Sequence, residues 1–363
     1  MTRPSLRRAP TMERLETRQV LSSLAGPSPD KQYALELINL ARTNPAGAAE
    51  RLTTVVDADV EATLASFRLN LGDLKTKIAS VAVKPPLAYD DALDAAAQGQ
   101  SQAQADMGKQ THQGADGRSF EQRLDSVGYT GRSSSGENAY AYADSIRDSM
   151  QAFLFDWGVP DNGHFRNILQ PDKGTADAFS DVGIGIAKAS NNGLGPLVVT
   201  QNFASQRGDK PQILGVAYED SDRNQFYTPG EGKGGVTIDA TNLTTGQKYS
   251  AQTWDSGGYQ IPVDPGATYR VTETAGGMVL GTRELRVSDA NEKVDFVQSV
   301  GNATTASPPG PASDRATAMT AEHVRAEQPA SQPPVAPTTA APAAPPMPSW
   351  LGKWSQWRAV KTA

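Results

Sequence analysis

The sequence predicts an α+β chain in which a mixed helix-and-strand unit is followed by an all-β unit of antiparallel strands, with disordered segments at both ends. Three observations carry this. From Lys31 to about Ser205, apolar residues recur at spacings of three and four and then give way to two β-type runs. From 212 to 300 they alternate in short runs, VTIDA, YQIPV, YRVTE and VDFV, separated by Gly, Asn, Asp or Pro turns. From 301 to 349 there are 11 Pro and 13 Ala in 49 residues and no aromatic, Leu or Ile, a composition that cannot bury a core.

The elements follow in order. Tyr33, Leu35, Leu37, Ile38, Leu40 and Ala41 predict an amphipathic helix that ends before Asn44-Pro45. Leu64, Phe67, Leu71, Leu74 and Ile78 predict one helical stretch near 59–80, broken by Pro85-Pro86. An Ala- and Gln-rich helix is expected over 90–109, a polar loop over 110–118 and a short helix over 119–127. A helix over 144–157 leads into a Gly/Pro/Asn loop, and VGIGIA (182–187) and PLVVTQNF (196–203) read as closing strands. The evenly spaced runs of 212–300 predict an antiparallel sandwich of about 90 residues. The organisation expected is a basic N-terminal segment (1–29), domains at 30–207 and 212–300, a Pro/Ala linker (301–349) and a C-terminal peptide (350–363).

Charge and composition exclude several functions. The chain carries 34 Lys+Arg against 40 Asp+Glu, a net charge of −6. Residues 1–24 and 350–363 each sum to +3, leaving −12 on 25–349. An acidic body repels phosphate backbones, so no nucleic-acid partner is expected. The absence of cysteine excludes disulfides, zinc–thiolate sites and thiol catalysis. No apolar run approaches the roughly 18–20 residues that span a bilayer, so no transmembrane segment is expected. The N-terminal LETRQVLSS resembles the LExRxxLS-type sequence that opens many bacterial surface and secreted proteins, and that resemblance implies export.

Of three histidines, His323 falls in the linker, which leaves His112 (THQGADG) and His164 (NGHFRNIL) for folded chemistry. Between them lies SGENAY, with Glu137 read in a tight Gly-Glu-Asn turn. Two imidazoles and an acid from separate loops suit a divalent ion or an acid–base set. The series LINLARTNP, PPLAYDDALDAAAQGQSQAQADM, THQGADG, GENAY, GHFRNIL and VGIGIA…VVTQNF resembles the CAP superfamily of cysteine-rich secretory, antigen-5 and pathogenesis-related proteins, over about 31–205. The resemblance implies an α-β-α sandwich with a cleft of two His and two acids that binds zinc or another divalent cation in several members. It places His112, Glu137 and His164 in that cleft, with Asn138 and Asn167 as supports. The second acid is open between Asp148 and Asp156. Where many bacterial relatives read GHRxNIL, Phe165 here follows His164.

In the second unit, DSDRNQFYTPGE puts oxygen ligands at loop positions 1, 3 and 5 (Asp220, Asp222, Asn224), a backbone carbonyl at 7 (Phe226), Thr228 at 9 and Glu231 at 12. That spacing suits Ca2+, although Gln225 stands where a Gly normally makes the sharp turn. The surrounding 212–297 resembles calcium-binding B-type repeats of bacterial adhesins and, equally, carboxypeptidase-regulatory-like sandwiches. At the C-terminus, Trp350, Trp354 and Trp357 share one helical face with Lys353, Arg358 and Lys361 nearby, a pattern for docking onto a partner or the cell envelope.

The expected function is therefore an extracellular or cell-surface binding or scaffold protein with an unnamed envelope or extracellular ligand, a Zn2+-type cleft and a Ca2+-stabilised sandwich. The alternatives are a metal-dependent, peptidase-like hydrolase using His112, Glu137 and His164, and an adhesion protein acting through the sandwich and the Trp-rich tail.

Overall fold

The computed structural model describes residues 26–189, 193–206 and 208–299. The chain opens with α1 (Pro29–Thr43), started by the Ser28 side chain and Pro29 in the first turn. Asn44 closes α1 through its N–H to Leu40 O and opens α2 (Pro45–Thr54) by accepting from Gly47 N at 2.9 Å. One Asn-Pro pair thus makes a corner between two helices. The stretch read as a single helix near 59–80 is two, α3 (Ala58–Ser66) and α4 (Leu71–Ala79). Arg68 turns left-handed (φ 55°) and Asn70 caps the new start, so the chain bends while Leu64, Leu74 and Ile78 stay in one core.

β1 (Ala88–Tyr89), α5 (Asp91–Met107), α6 (Phe120–Ser126), β2 (Arg132–Ala143), α7 (Ile146–Phe155), α8 (Gly163–Leu169), β3 (Asp181–Lys188) and β4 (Leu197–Gln206) complete the first unit. The sheet runs β1-β3-β4-β2, with β1 parallel to β3 and the other pairs antiparallel. Strand alternation divides the residues between two faces. Val182, Ile184, Val199 and Phe203 join the large core with α1, α2, α7 and α8, whereas Ala204 meets Leu93 and Ala96 of α5. The result is the three-layer α-β-α arrangement.

The glycines of VGIGIA explain how α5 fits. A Cβ on Gly183 would lie 2.0 Å from the backbone of Leu93 and Asp94, and one on Gly185 2.1 Å from Ala97 O. Helix backbone therefore rests directly on strand backbone. Gln98 adds to this by bonding both the N–H (3.1 Å) and the carbonyl (2.9 Å) of Ile186. Deeper in the unit, the wholly buried Arg42 donates to Pro85 O (2.8 Å), Ile168 O (2.8 Å), Gln170 Oε1 (3.2 Å) and Phe179 O (3.0 Å).

The second unit comprises β5 (Gln212–Asp220), β6 (Thr237–Asn242), β7 (Lys248–Gln252), β8 (Gly258–Pro262), β9 (Ala267–Ala275), β10 (Met278–Val287), β11 (Glu292–Lys293) and β12 (Phe296–Ser299). One sheet, β10-β9-β6-β7, is antiparallel throughout. The other is centred on β5 and is mixed: β8 is antiparallel to it, while β11 and β12 are parallel. Ile213, Ile238, Tyr259, Ile261, Val271 and Phe296 form the core between the sheets.

Polar contacts join the units. Lys293 bridges Glu36 of α1 at 2.8 Å and also pairs with Asp295. Burial raises the pKa of the Glu36 carboxyl; Lys293 is held above the ordinary lysine range because Asp295 and Glu36 outweigh its burial. Gln260 bonds both backbone groups of Tyr89 (3.1 and 2.9 Å), and Asn291 Nδ2 donates to Pro86 O (3.1 Å) and Ser180 O (2.9 Å).

The α5–β3 contact makes a paired prediction. Gly183→Ala must push the helix off the strand and is expected to cost about 3 kcal/mol or more. Gly99→Ala, in α5 with open space around it, is expected to stabilise by about 0.5–1 kcal/mol. Urea midpoints of the two variants check the contrast.

Candidate functional site

The site grows from the middle of β2 and the start of α8. Glu137 and Asn138 lie within β2, opposite Asn202 and Gln201 of β4, so the expected Gly-Glu-Asn turn is a strand. Gly136 serves close approach instead: a Cβ there would come 2.8 Å from Asn167 Oδ1. His164 likewise sits on a helix, as the second residue of α8, and not in a loop. His112 does lie in the loop between α5 and α6, which Gln104 and Gln100 fasten through Thr111 (3.1 and 2.6 Å).

Each imidazole is paired with a buried carboxylate. His112 Nδ1 lies 2.9 Å from Glu137 Oε1, and Glu137 Oε2 accepts from the guanidinium of Arg123. Arg123, on α6, also donates to His112 O at 2.7 Å, so it holds both members of the pair. His164 Nδ1 lies 2.7 Å from Asp156 Oδ1, while Asp156 Oδ2 accepts from Phe165 N at 3.1 Å. The His112 side chain is 45% exposed and that of His164 13%, against 3% and 0% for the two carboxylates. The His112 ring is about half exposed, the His164 ring is largely covered and packs on Phe153, and both carboxylate anchors are buried.

Two asparagines join the pairs. Asn167 Nδ2 donates to Asn138 Oδ1 (2.9 Å) and Glu137 O (3.2 Å); Asn138 Nδ2 donates to Gln201 Oε1 (3.1 Å) and His164 O (3.3 Å). Of the two acids left open by the sequence, Asp156 is the one that contacts a histidine. It closes α7 in a left-handed conformation (φ 56°), which turns its carboxylate towards the next helix. Asp148 instead accepts from Asp144 N (2.9 Å) at the start of α7.

The acidic loop after β5 forms a second cluster. Ligand atoms of Asp220, Asp222 and Glu231 lie within 4.8 Å of one another, the one such group of three among the described residues. Asn224 Nδ2 and Thr228 Oγ1 donate to Asp222 Oδ2 (2.6 and 2.9 Å), and Glu231 accepts from the backbone N–H groups of Ser221 (2.8 Å), Asp222 (3.2 Å) and Thr228 (2.8 Å). Gln225 adopts the left-handed backbone (φ 59°) that a Gly would supply. The Phe226 ring turns to the first unit, edge-on to Tyr33 (6.0 Å) and beneath the Arg51 guanidinium (4.3 Å). Trp350, Trp354 and Trp357 lie outside the described residues.

Residues 35–203 match the model of the cysteine-rich secretory protein family, CAP. This segment is a CAP domain. No curated protein matches the chain. Among solved structures, an extracellular SCP-domain protein from Bacillus anthracis strain Ames is 24% identical over 34% of this chain and 34% of that chain, with a TM-score of 0.27. This chain thus spans about a third of that protein's length. An outer surface protein from Borrelia burgdorferi is 15% identical over 42% of this chain and 97% of that chain, with a TM-score of 0.28.

In the CAP domain, sequence reasoning missed Arg123, because nothing local marks a helix arginine as the partner of a strand carboxylate 14 residues on. The acid pair Asp148 and Asp156 is separated only by the α7 cap geometry. Burial, the largest cause, pushes the Asp148 carboxyl up to about 6, against the lowering effect of the hydrogen bond from Asp144 N. The folded protein therefore holds this proton more tightly than the unfolded chain, and stability falls as pH rises from about 4 to about 6. Asp148→Asn removes that loss while keeping an acceptor for Asp144 N. The variant is expected to gain on wild type by up to about 3 kcal/mol across that window and to gain nothing further above it. Urea titrations at stepped pH measure the difference.

Proposed function

We propose that this is an extracellular or cell-surface binding protein whose CAP domain holds a divalent cation such as Zn2+ through His112 and His164, and whose second unit is a Ca2+-braced sandwich of the adhesin B-repeat type. The domains would be 30–207 and 212–300. The observation that carries the cleft reading is the pairing of both Nδ1 atoms with buried carboxylates, which leaves each Nε2 as the nitrogen available to a ligand. Metal-binding histidines are commonly oriented this way by a carboxylate on the other ring nitrogen. No group of three metal-type ligands among the described residues includes either histidine, so a cation held here would rest on the two imidazoles with water or a partner group in its other positions, and the two pairs are linked through Asn138 and Asn167.

The same geometry favours binding over peptidase chemistry. Both Glu137 oxygens are engaged, one by His112 and one by Arg123, so this carboxylate is not free to take a proton from water. The reading includes no nucleic-acid partner, in keeping with the acidic body of the chain, and no helix among the described residues is long and apolar enough to cross a membrane. The ligand would be extracellular or envelope material, with the Trp-rich peptide as a peripheral docking element.

Zinc titration calorimetry of the full chain in calcium-saturated buffer tests the cleft. A one-site signal of about micromolar strength or tighter is expected, and it should vanish in His112→Ala/His164→Ala. Binding that is absent, or indifferent to both histidines, would sink the proposal.

The acidic loop supports the calcium assignment because three carboxylates offer oxygens within 4.8 Å of one another, on a loop fastened to the first unit by Phe226 and by Arg51 donating to Asn224 O at 2.9 Å. Calcium at about 100 times its Kd should stabilise the protein by about 2.7 kcal/mol, a rise in melting temperature of roughly 5–10 °C. Asp222→Asn/Glu231→Gln should abolish the rise. A rise of equal size in that variant would place the ion elsewhere.

A further inference from the structure

A cavity of about 640 Å³ opens where the CAP domain meets the second unit, apart from both clusters above. Its wall includes Asp181, at the start of β3, which is only 8% exposed. Both hydrogen bonds to this carboxylate fall on the same oxygen: Tyr129 Oη (3.2 Å) and Ser180 Oγ (2.7 Å) donate to Oδ2. Oδ1 has no hydrogen-bond partner among the described residues, and no cation there pairs with Asp181. The lysines at the rim are otherwise placed, Lys210 paired with Asp264 at 2.7 Å and Lys173 exposed. A carboxylate this deep without a counter-charge is costly, and burial duly pushes Asp181 up to about 7.

The rest of the wall narrows what would satisfy it. Ser133, Ser134 and Ser205 line the cavity from the paired ends of β2 and β4, and their hydroxyls are bonded to one another (3.2 and 2.8 Å). Each such hydroxyl can still give or accept a further bond. The only trio of clustered metal-type ligands among the described residues is the acidic loop, so the other acids near Asp181 do not close around one ion. The volume suits a small molecule and not a bare cation.

We propose that this junction cavity binds a small protonated amine bearing several hydroxyl groups, of the amino-sugar class, with its ammonium on Asp181 Oδ1 and its hydroxyls against Ser133, Ser134 and Ser205. An ammonium supplies the missing charge, favours the ionised carboxylate and donates to Oδ1, the oxygen that Tyr129 and Ser180 leave unbonded. Asn291, which fastens the second unit to Ser180 O and Pro86 O, also lines this wall, so an occupant touches both units at once. The proposal is independent of any metal in the cleft or the acidic loop.

The test uses the full chain labelled with 15N, titrated at neutral pH with glucosamine, N-acetylglucosamine and glucose. Glucosamine is expected to saturate shifts at Asp181, Ser134 and Asn291 with a Kd of roughly millimolar or below. N-acetylglucosamine and glucose, which lack the ammonium, should bind at least tenfold more weakly, as should glucosamine to Asp181→Asn. Equal binding of the three sugars, shifts elsewhere only, or no saturable shift would overturn the site. Should Asp181→Asn fail to fold, the comparison of sugars on the wild-type protein decides alone.

Discussion

The first unit is organised around one buried guanidinium. Arg42 reaches four acceptors on three separate stretches of chain and has no carboxylate among them. Burial pushes its pKa down to about 9, which still leaves the charge in place at neutral pH. The compensation comes from carbonyl dipoles. Ile168 O belongs to the last turn of α8, where backbone carbonyls lack helical partners and carry the negative end of the helix dipole. Gln170, left-handed at the α8 terminus, spends its side-chain oxygen on Arg42 and on Phe179 N. The charge on α1 thereby fixes where α8 ends, and α8 carries His164 and Asn167.

The cleft inherits its rigidity from this placement. With α8 fixed, the Asn167 side chain lies so close to β2 that a Cβ at Gly136 would displace it, and the two asparagines tie the histidine pairs to one strand. Every carboxylate that orients an imidazole is itself held by a second donor, Arg123 for Glu137 and the Phe165 N–H for Asp156. Side chains held this way are ordered by folding itself, so a ligand bound there would meet little further ordering cost.

How much of this was legible varied with the range of the contact. Apolar spacing marked α1 and Ala/Gln richness α5, and the segments expected for α6, α7, β3 and β4 coincide with those elements to within a few residues. The break at Arg68–Asn70 was hidden, since Leu64, Leu74 and Ile78 keep their helical spacing across it. Glu137 read as a turn residue because Gly and Asn flank it, yet that glycine answers to α8 and not to chain reversal. Asp156 could not be told from Asp148 without the left-handed cap that aims it. In the second unit the alternating runs pointed to strands, but the parallel pairing of β11 and β12 with β5 depends on connections that no local pattern encodes.

That parallel pairing has a mechanical consequence. β12 matches β5 from Phe296 opposite Ala217 to Ser299 opposite Asp220, so the chain leaves β12 at the end of β5 remote from Gln212, where the connection from the first unit enters. Tension between the first unit and the sequence beyond Ser299 therefore pulls the two strands past each other lengthwise. The ladder bonds are loaded together in shear and do not open one at a time.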